Sequence, residues 1–274
     1  FFGPNTSTSN RCMIGGMVGN NSSGSTSIKY GVTRDKVLQI DGILSDGSLA
    51  SFKELSSEEF IAKTKVKSLE GEIYSTIFSE LSQKKIQKEI KDQFPKPNIH
   101  RRNTGYAVDE LLTSNLFGGE EPTINLAKLL AGSEGTLVFS TEITLQLDTI
   151  QPKESIIVAS HFKSINESLR ATVLAMNHDL YACELMDKVI LDCTKNNREQ
   201  AKNRFFIKGD PEAILMFEVS ADTEEDASQK AEKLIEELKE HHFGYHHPKI
   251  VGEDIKRMFD LRKAGLGLLG NIIG

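Results

Sequence analysis

The chain has 274 residues, which is enough for two medium domains that each bury a core. Lys and Arg total 33 against 39 for Asp and Glu, and the net charge of −6 leaves no excess of cations for binding a nucleic-acid backbone. The longest apolar runs, such as Ala213–Phe217, fall far short of the roughly 20 residues that span a bilayer, so we expect neither a nucleic-acid partner nor a transmembrane segment.

The first residues predict a loop followed by a β-hairpin. Residues 1–35 are dense in Gly, Ser, Asn and Thr, a composition typical of loops because these residues favour turns. The runs 37–44 and 48–55 flank Asp46-Gly47, and this pair is a strong hairpin signal because both turn residues tolerate positive φ. We therefore expect two antiparallel strands after the loop.

Residues 56–93 predict a mostly helical segment that lies on the surface. Ser56 and Glu59 form a capping-box pattern, and the apolar residues that follow recur at helical spacing until Phe94-Pro95. Further along, residues 124–131 predict a short helix, and the β-branched run 137–147 predicts a strand.

Beyond Pro152, the expected domain boundary, the order of elements is typical of a split, ferredoxin-like arrangement with two βαβ-like units. The predicted elements are strand 155–160, helix 164–176, strand 180–186, strand 213–219, helix 223–240 and strand 248–251. The first helix opens with Ser164 in another capping-box pattern and places Ile165, Leu169 and Val173 on one face. The sequence therefore predicts an α+β protein.

A glycine-rich segment near the start is a candidate binding site. Residues 14–24, IGGMVGNNSSG, contain four glycines and four small polar residues in eleven positions. Such a segment lets backbone N–H groups approach an anion closely, which favours a pyrophosphate cradle. The spacing matches neither the Rossmann pattern nor the Walker loop, and a flexible surface loop is an equal alternative on composition alone.

Three blocks of sequence point to one family. They are IGGMVGNNSSGSTSIKYGVTRDKVLQIDGILSDGS (14–48), RRNTGYAVDELL (101–112) and LLAGSEGTLVFSTEITLQL (129–147). In this order they resemble the vanillyl-alcohol oxidase / p-cresol methylhydroxylase superfamily, in its branch of FAD-linked D-2-hydroxy-acid dehydrogenases acting on D-lactate, D-2-hydroxyglutarate or glycolate.

The resemblance implies a fold, a domain division and a cofactor. Residues 1–150 would form the second half of a PCMH-type FAD-binding domain with a helical insertion near 56–97, and residues 151–274 a partial ferredoxin-like cap domain of the FAD-linked oxidase C-terminal type. FAD is the implied cofactor. The residues that the resemblance assigns to the FAD site are Gly16, Gly19, Asn20, Asn21, Ser22, Gly24, Ser25, Tyr30, Gly31, Asn103, Thr104, Gly105, Tyr106, Gly132, Ser133, Glu134, Gly135 and Thr136.

The cap contributes one candidate substrate residue. The run 184–187 matches a strand end of the family's cap, and MFDLRKAG (258–265) resembles a helix whose Arg meets the substrate carboxylate, which implies this role for Arg262. A planar guanidinium fork suits a carboxylate. We expect Arg262 at the helix end, beside a turn at 265–267; from the residues alone, a solvated arginine is the alternative. The apolar face of the helix is formed by Met258, Phe259 and Leu261.

The implied reaction is the oxidation of a small-molecule D-2-hydroxy acid to a 2-oxo acid. Two alternatives stay open: an FAD-linked oxidase acting on an alcohol or phenol, which the presence of Arg262 disfavours, and a non-catalytic binding module. No residue of this chain is assigned as the catalytic base.

Both ends of the chain look cut, so we interpret it as an internal fragment. It opens on Phe1-Phe2-Gly3-Pro4 without a Met and ends in a glycine-rich stretch. The family's earlier pyrophosphate loop lies outside it, as does the family's later histidine-rich segment, which supplies catalytic and, in some members, metal-binding groups. We therefore expect the isolated chain to be inactive and not to retain FAD. The insertion near 56–97 resembles larger members that continue into an iron–sulfur domain.

The histidines and cysteines carry no metal prediction. His241, His242, His246 and His247 come in adjacent pairs that point in different directions, and no carboxylate or Cys completes a ligand set, so a polar helix end and loop are favoured. The three cysteines lack metal-ligand spacing and predict a reducing compartment, the cytoplasm. They are Cys12, Cys183 and Cys193.

Overall fold

The computed structural model describes residues 1–96, 98–99, 101–102, 105–195 and 197–269, except for the side chains of residues 266, 268 and 269. The chain divides into two compact units, Phe1–Thr149 and the residues from Ile150 onward. Among the described helices, none is both long and apolar enough to cross a bilayer.

The first unit combines one four-stranded sheet with short helices. Its elements in chain order are α1 (Ile14–Asn20), α2 (Ser27–Tyr30), β1 (Val37–Ile43), β2 (Leu49–Ser56), α3 (Ser57–Lys63), α4 (Leu69–Leu81), α5 (Lys84–Gln93), α6 (Val108–Leu111), β3 (Thr123–Asn125), α7 (Ala127–Leu130) and β4 (Phe139–Leu145). The strands lie in the order β3-β2-β1-β4. The prediction that residues 1–35 form a loop is wrong over α1 and α2, because Asn21 and Gly31 end two short helices that the composition concealed.

The predicted hairpin is confirmed, with a different turn. β1 and β2 pair antiparallel and close on Ile43 opposite Leu49. Only Gly47 of the turn has positive φ, 85°, and its N–H donates to Leu44 O at 2.9 Å. This is the pattern of a longer loop that ends on a left-handed glycine. A two-residue turn would require positive φ at Asp46 as well, and this loop does not.

The helical segment 56–93 is confirmed as helix but is not a surface excursion. Ser56 and Glu59 form the expected capping box at the start of α3, and α5 ends at Gln93, before Phe94-Pro95. The side chains of Phe60 and Tyr74 are fully buried, and their rings meet edge to face with centroids 4.9 Å apart. They belong to the same hydrophobic core as the hairpin, so these helices cover one face of the sheet.

The predicted helix over residues 124–131 is only half correct. Thr123–Asn125 instead forms β3, which pairs antiparallel with the end of β2, and helix α7 is confined to Ala127–Leu130. Pairing with an available sheet edge outweighed the local helical pattern. The strand predicted at 137–147 is confirmed as β4.

The second unit has the predicted ferredoxin-like arrangement. Its elements are β5 (Glu154–Phe162), α8 (Ile165–Ala175), β6 (Ala182–Asp187), α9 (Lys188–Cys193), β7 (Ala213–Ala221), α10 (Glu224–Glu240), β8 (Lys249–Val251) and α11 (Glu253–Leu269). The strand order is β6-β7-β5-β8, and every neighbouring pair is antiparallel. Two split βαβ units interleaved in one sheet give this order.

Helix α11 confirms one expectation about the cap and corrects another. Met258 and Leu261 are buried in a core shared with Met216 of the sheet, as the apolar face predicted. The helix continues to Leu269, however, instead of turning at residues 265–267. A side chain at Gly265 would collide with α9, since an ideal Cβ there would lie 2.7 Å from Ile190 Cγ2. This glycine thus marks a close helix contact.

Candidate functional site

The glycine-rich segment folds as a short helix with a fixed end. Asn21 follows α1 in the left-handed conformation, with φ of 49°, and is fully buried. Its side-chain oxygen accepts the backbone N–H of Arg34 at 2.7 Å, and its amide donates to Arg102 O at 3.3 Å. Buried Asn21 thereby connects two of the three blocks that carry the family resemblance.

The third block is joined to the same segment by its own backbone. Gly132 N–H donates to Val18 O and Glu134 N–H donates to Gly19 O, both at 2.9 Å. The exposed amide of Asn20 donates to the Glu134 carboxylate at 2.8 Å. We call residues 132–136 the flavin turn, after the cofactor that the resemblance implies for them. The structure therefore brings Gly19, Asn20 and the flavin turn together.

Tyr106 contacts the far end of the flavin turn. Its hydroxyl lies 2.7 Å from Thr136 Oγ1, which donates its own hydrogen to Ser133 O at 2.6 Å. Because Thr136 has a single hydroxyl hydrogen, Tyr106 is the donor in this pair. Gly105 is exposed beside it. Asn103 and Thr104, which the resemblance also assigned to the FAD site, lie outside the described residues.

The other predicted loop residues have contacts within the first 35 residues. Ser22 Oγ donates to Asn20 Oδ1 at 3.1 Å and so supports the Asn20–Glu134 pair. Gly24 lies against the backbone of Asn5, and the Tyr30 ring packs edge to face on Phe1 with centroids 5.1 Å apart. These contacts give Gly24 and Tyr30 a structural role. Ser25 is half-buried, and Gly31 lies against Asp35.

Arg34 is a site residue that the sequence did not reveal. Its side chain is 3% exposed, and its guanidinium donates to Lys128 O at 2.9 Å and to Ala131 O at 2.8 Å. Burial lowers the pKa of Arg34, while the carboxylates of Glu110 and Asp109 oppose the shift. An arginine in a polar stretch gives no local sign that it is buried, since most arginines are exposed.

Arg262 lies in the middle of α11, not at a helix end as expected. Its Nε pairs with the carboxylate of Glu184 on β6, whose side chain is only 11% exposed. Glu218 lies across the ladder from Ala182, two residues from Glu184, and burial raises the pKa of Glu218. Arg262 is therefore the cation that offsets a partly buried acidic group on the cap sheet.

His161 and His247 are held by side-chain hydrogen bonds inside the second unit. His161 is fully buried; its Nδ1 donates to Ala159 O at 2.8 Å, and its Nε2 accepts from Lys208 N–H at 3.2 Å. Burial lowers the pKa of His161 to about 4. His247 Nδ1 lies 2.9 Å from Ser160 Oγ. Over the described ranges, no group of three or more His, Cys, Asp or Glu is arranged to hold a metal.

The residues around the flavin turn fit a flavin. At Gly15, Gly16, Gly105 and Gly135, no atom of the described residues outside the adjoining chain and helix lies within 4 Å of an added Cβ, so their backbone is open to a ligand. Exposed hydrogen-bonding side chains lie beside them, namely Asn20, Tyr106, Glu134 and Thr136. Open glycine backbone next to a few polar groups allows close approach with hydrogen bonding, which a flat, polar-edged ring system requires.

Comparison with known proteins gives the same assignment. Residues 1–53 match the FAD binding domain family, and residues 151–271 match the C-terminal domain of FAD linked oxidases. D-2-hydroxyglutarate dehydrogenase from Escherichia coli (strain K12) is 29% identical over 285 residues, and the same enzyme from Haemophilus influenzae is 27% identical over 290 residues. Each aligns with 100% of this chain, which spans 27% of the length of either relative.

Solved structures share the fold. Two crystal structures of alkyldihydroxyacetonephosphate synthase align with 96% of this chain, at 12% identity and TM-scores of 0.51 and 0.53, and this chain covers 39% and 38% of them. At this identity the likeness concerns the fold alone. The family is shown by the two family matches and by relatives that align with the whole chain: the chain is a fragment of an FAD-linked oxidase, with a segment similar to the FAD binding domain followed by the C-terminal domain of that family.

Proposed function

We propose that the protein containing this chain is an FAD-dependent dehydrogenase that oxidises a D-2-hydroxy acid to the corresponding 2-oxo acid. D-2-hydroxyglutarate is the first substrate that we infer, because relatives of that name align with the whole chain. The observation that carries the proposal is the junction between α1 and the flavin turn, where Glu134 is bound through both its N–H and its carboxylate.

The residues of this junction would hold and orient the cofactor. When bound, FAD supplies the redox chemistry by accepting a hydride equivalent from the substrate. Glu134 carries a negative charge that would repel a pyrophosphate, so we assign the Asn20–Glu134 pair to an uncharged, hydrogen-bonding part of the cofactor. The glycine backbone at Gly16 and Gly135 would allow the close approach.

Arg262 would bind the substrate carboxylate from the cap. Its Nε pairs with Glu184, and no other carboxylate of the described residues forms an ion pair with Arg262, so the two Nη groups could bind the carboxylate of the substrate. A guanidinium held at one edge presents the remaining fork in a fixed direction. This arrangement supports an acid as the substrate.

One observation favours the rival substrate class, an alcohol or phenol. The charge of Arg262 is already offset by Glu184, and an uncharged substrate would not need a free cation there. We rank this class second, since it leaves the two Nη groups without a role.

Two further inferences concern the whole protein. We propose an iron–sulfur domain outside this chain, for which the support is the helical insertion α3–α5 and the greater length of the relatives. We also propose a cytoplasmic location, supported by three cysteines that are all free thiols.

An anaerobic titration of the full-length, FAD-loaded protein tests the proposed function. Bleaching of the flavin absorbance is expected with D-2-hydroxyglutarate or D-lactate and not with the L-enantiomer of either acid. Bleaching by a phenolic alcohol alone would assign the rival class. A full-length protein that binds no FAD would contradict both.

A further inference from the structure

We propose that Arg34 is a positioning residue that sets the geometry of the flavin turn, and so controls the affinity of the protein for FAD without touching it. This inference rests on the proposed function. It concerns a residue that lies about a hundred positions before the turn in the sequence and contacts it only through the fold.

The guanidinium of Arg34 binds the end of the helix that leads into the flavin turn. Its Nε donates to Lys128 O, and its Nη2 donates to Ala131 O, the carbonyl directly before Gly132. The last carbonyls of a helix lack partners within the helix and carry a partial negative charge. Two donors of one planar group therefore fix both the position and the direction of the chain as it enters the turn.

The backbone of Arg34 is held just as firmly. Its N–H donates to buried Asn21 Oδ1 at 2.7 Å, and its carbonyl accepts from Lys128 Nζ at 2.9 Å. Since Asn21 ends α1, the Arg34 side chain and backbone together tie the glycine-rich segment to the flavin turn. No single hydrogen bond in this connection is local in sequence.

The backbone of Gly132 also lies against the Arg34 guanidinium. Gly132 has φ of 92°, and an ideal Cβ there would lie 2.7 Å from Arg34 Nη2. The space beside the turn is thus filled by the guanidinium. A lysine at position 34 could carry the charge, but it has no second donor in a fork to reach both carbonyls.

Burial gives a further reason to assign a positioning role. Arg34 is 3% exposed, and its direct acceptors are neutral carbonyls rather than a carboxylate. Burying a charge in this way costs free energy that a well-packed apolar side chain would avoid. The contribution that an apolar residue cannot replace is the pair of directed hydrogen bonds.

Arg204 offers a matched control in the other unit. It is a partly buried arginine whose Nη1 donates to Leu191 O and to Thr194 Oγ1, both at 2.6 Å, at the end of α9. It therefore resembles Arg34 in chemistry and in its position at a helix end. It is remote in sequence from the flavin turn, and both of its acceptors lie in the second unit.

The test compares Arg34→Lys and Arg204→Lys in the full-length protein. We expect Arg34→Lys to raise the FAD dissociation constant about tenfold or more, the effect of losing one hydrogen bond from a charged donor, and to reduce the rise in Tm caused by FAD. Arg204→Lys should lower the Tm of the FAD-free protein and leave the dissociation constant unchanged. Flavin fluorescence gives the dissociation constants, and thermal unfolding gives the Tm values.

The remaining outcomes distinguish a failure of this inference from a failure of the proposed function. A wild-type dissociation constant in Arg34→Lys, or an equal increase in Arg204→Lys, would overturn the inference while leaving the proposed function intact. If the wild-type protein binds no FAD, the proposed function fails and this inference fails with it. Should Arg34→Lys not fold, Lys128→Met removes only the ammonium that binds Arg34 O and Asp35 O; unchanged FAD affinity there would also overturn the inference.

Discussion

Replacing Arg262 with Ala would separate two roles that the structure gives to one side chain. The substitution removes the Nη fork that we assign to the substrate carboxylate, and it also removes the Arg262 cation that pairs with Glu184, whose side chain is 11% exposed. Loss of a hydrogen bond to a charged group amounts to about 1.5–3 kcal/mol, and each 1.36 kcal/mol is a factor of ten in rate, so kcat/KM should fall roughly ten- to hundredfold.

The second role of Arg262, its pairing with Glu184, affects the stability of the fold. A mostly buried carboxylate that loses an ionic partner destabilises the folded state by about 1–3 kcal/mol. Glu184→Gln in the Arg262→Ala background removes the charge that Arg262 no longer offsets. We therefore expect the double variant to regain stability and to keep the low kcat/KM, while Arg262→Lys regains part of the activity because it retains the charge and loses the fork.

Steady-state kinetics on the full-length protein, with FAD fully bound, together with urea unfolding, would measure both effects. If Arg262→Ala turns over the hydroxy acid with wild-type kcat/KM, Arg262 is a structural residue of α11. If Glu184→Gln restores activity as well as stability, the loss came from misfolding of the cap, and the substrate role is refuted.

Three other outcomes can be checked directly. Burial lowers the pKa of His161 to about 4 from 6.5, so its contribution to stability is complete above about pH 6.5 and is lost as the pH falls towards 4. In urea unfolding, the free energy of unfolding should therefore fall as the pH is lowered through this range. An unchanged pH dependence in His161→Gln would refute the prediction. Within the described residues the buried Tyr74 hydroxyl has no hydrogen-bond partner, so Tyr74→Phe should stabilise the fold by about 1 kcal/mol; a loss of stability on urea unfolding would reveal a hidden partner. The amides of Gly15 and Gly16 have no acceptor in the described chain and should exchange quickly until FAD is added; FAD-independent protection would exclude them from the site.

Local patterns predicted much of the fold. Asp46-Gly47 indicated the hairpin, and Ser56 and Ser164 each mark a helix start that the structure reproduces with a side-chain cap. These features are set by residues a few positions apart, so a single sequence contains the information. The order of strands and helices in the cap follows from the same local signals and leads to the ferredoxin-like sheet.

What the sequence did not predict depends on distant contacts. The burial of Phe60 and Tyr74 follows from packing on the sheet, and β3 exists because β2 offers an edge. Arg34 is the clearest case in the candidate site, since its acceptors are 94 and 97 residues away in sequence. The family resemblance named the segments that line the site but not the arginine that joins them.

The contact between Gly265 and Ile190 makes the position of α11 sensitive to substitution of Gly265. Glycine within a helix reduces stability by about 1 kcal/mol relative to alanine, so alanine should be the better residue for the helix alone. Here one methyl group would act as a wedge, 2.7 Å from the Ile190 side chain and 3.2 Å from its carbonyl oxygen, and would push the helix off α9. Arg262, less than one turn earlier, would move with it. The absence of a side chain at Gly265 therefore helps to set the direction in which the Arg262 guanidinium points.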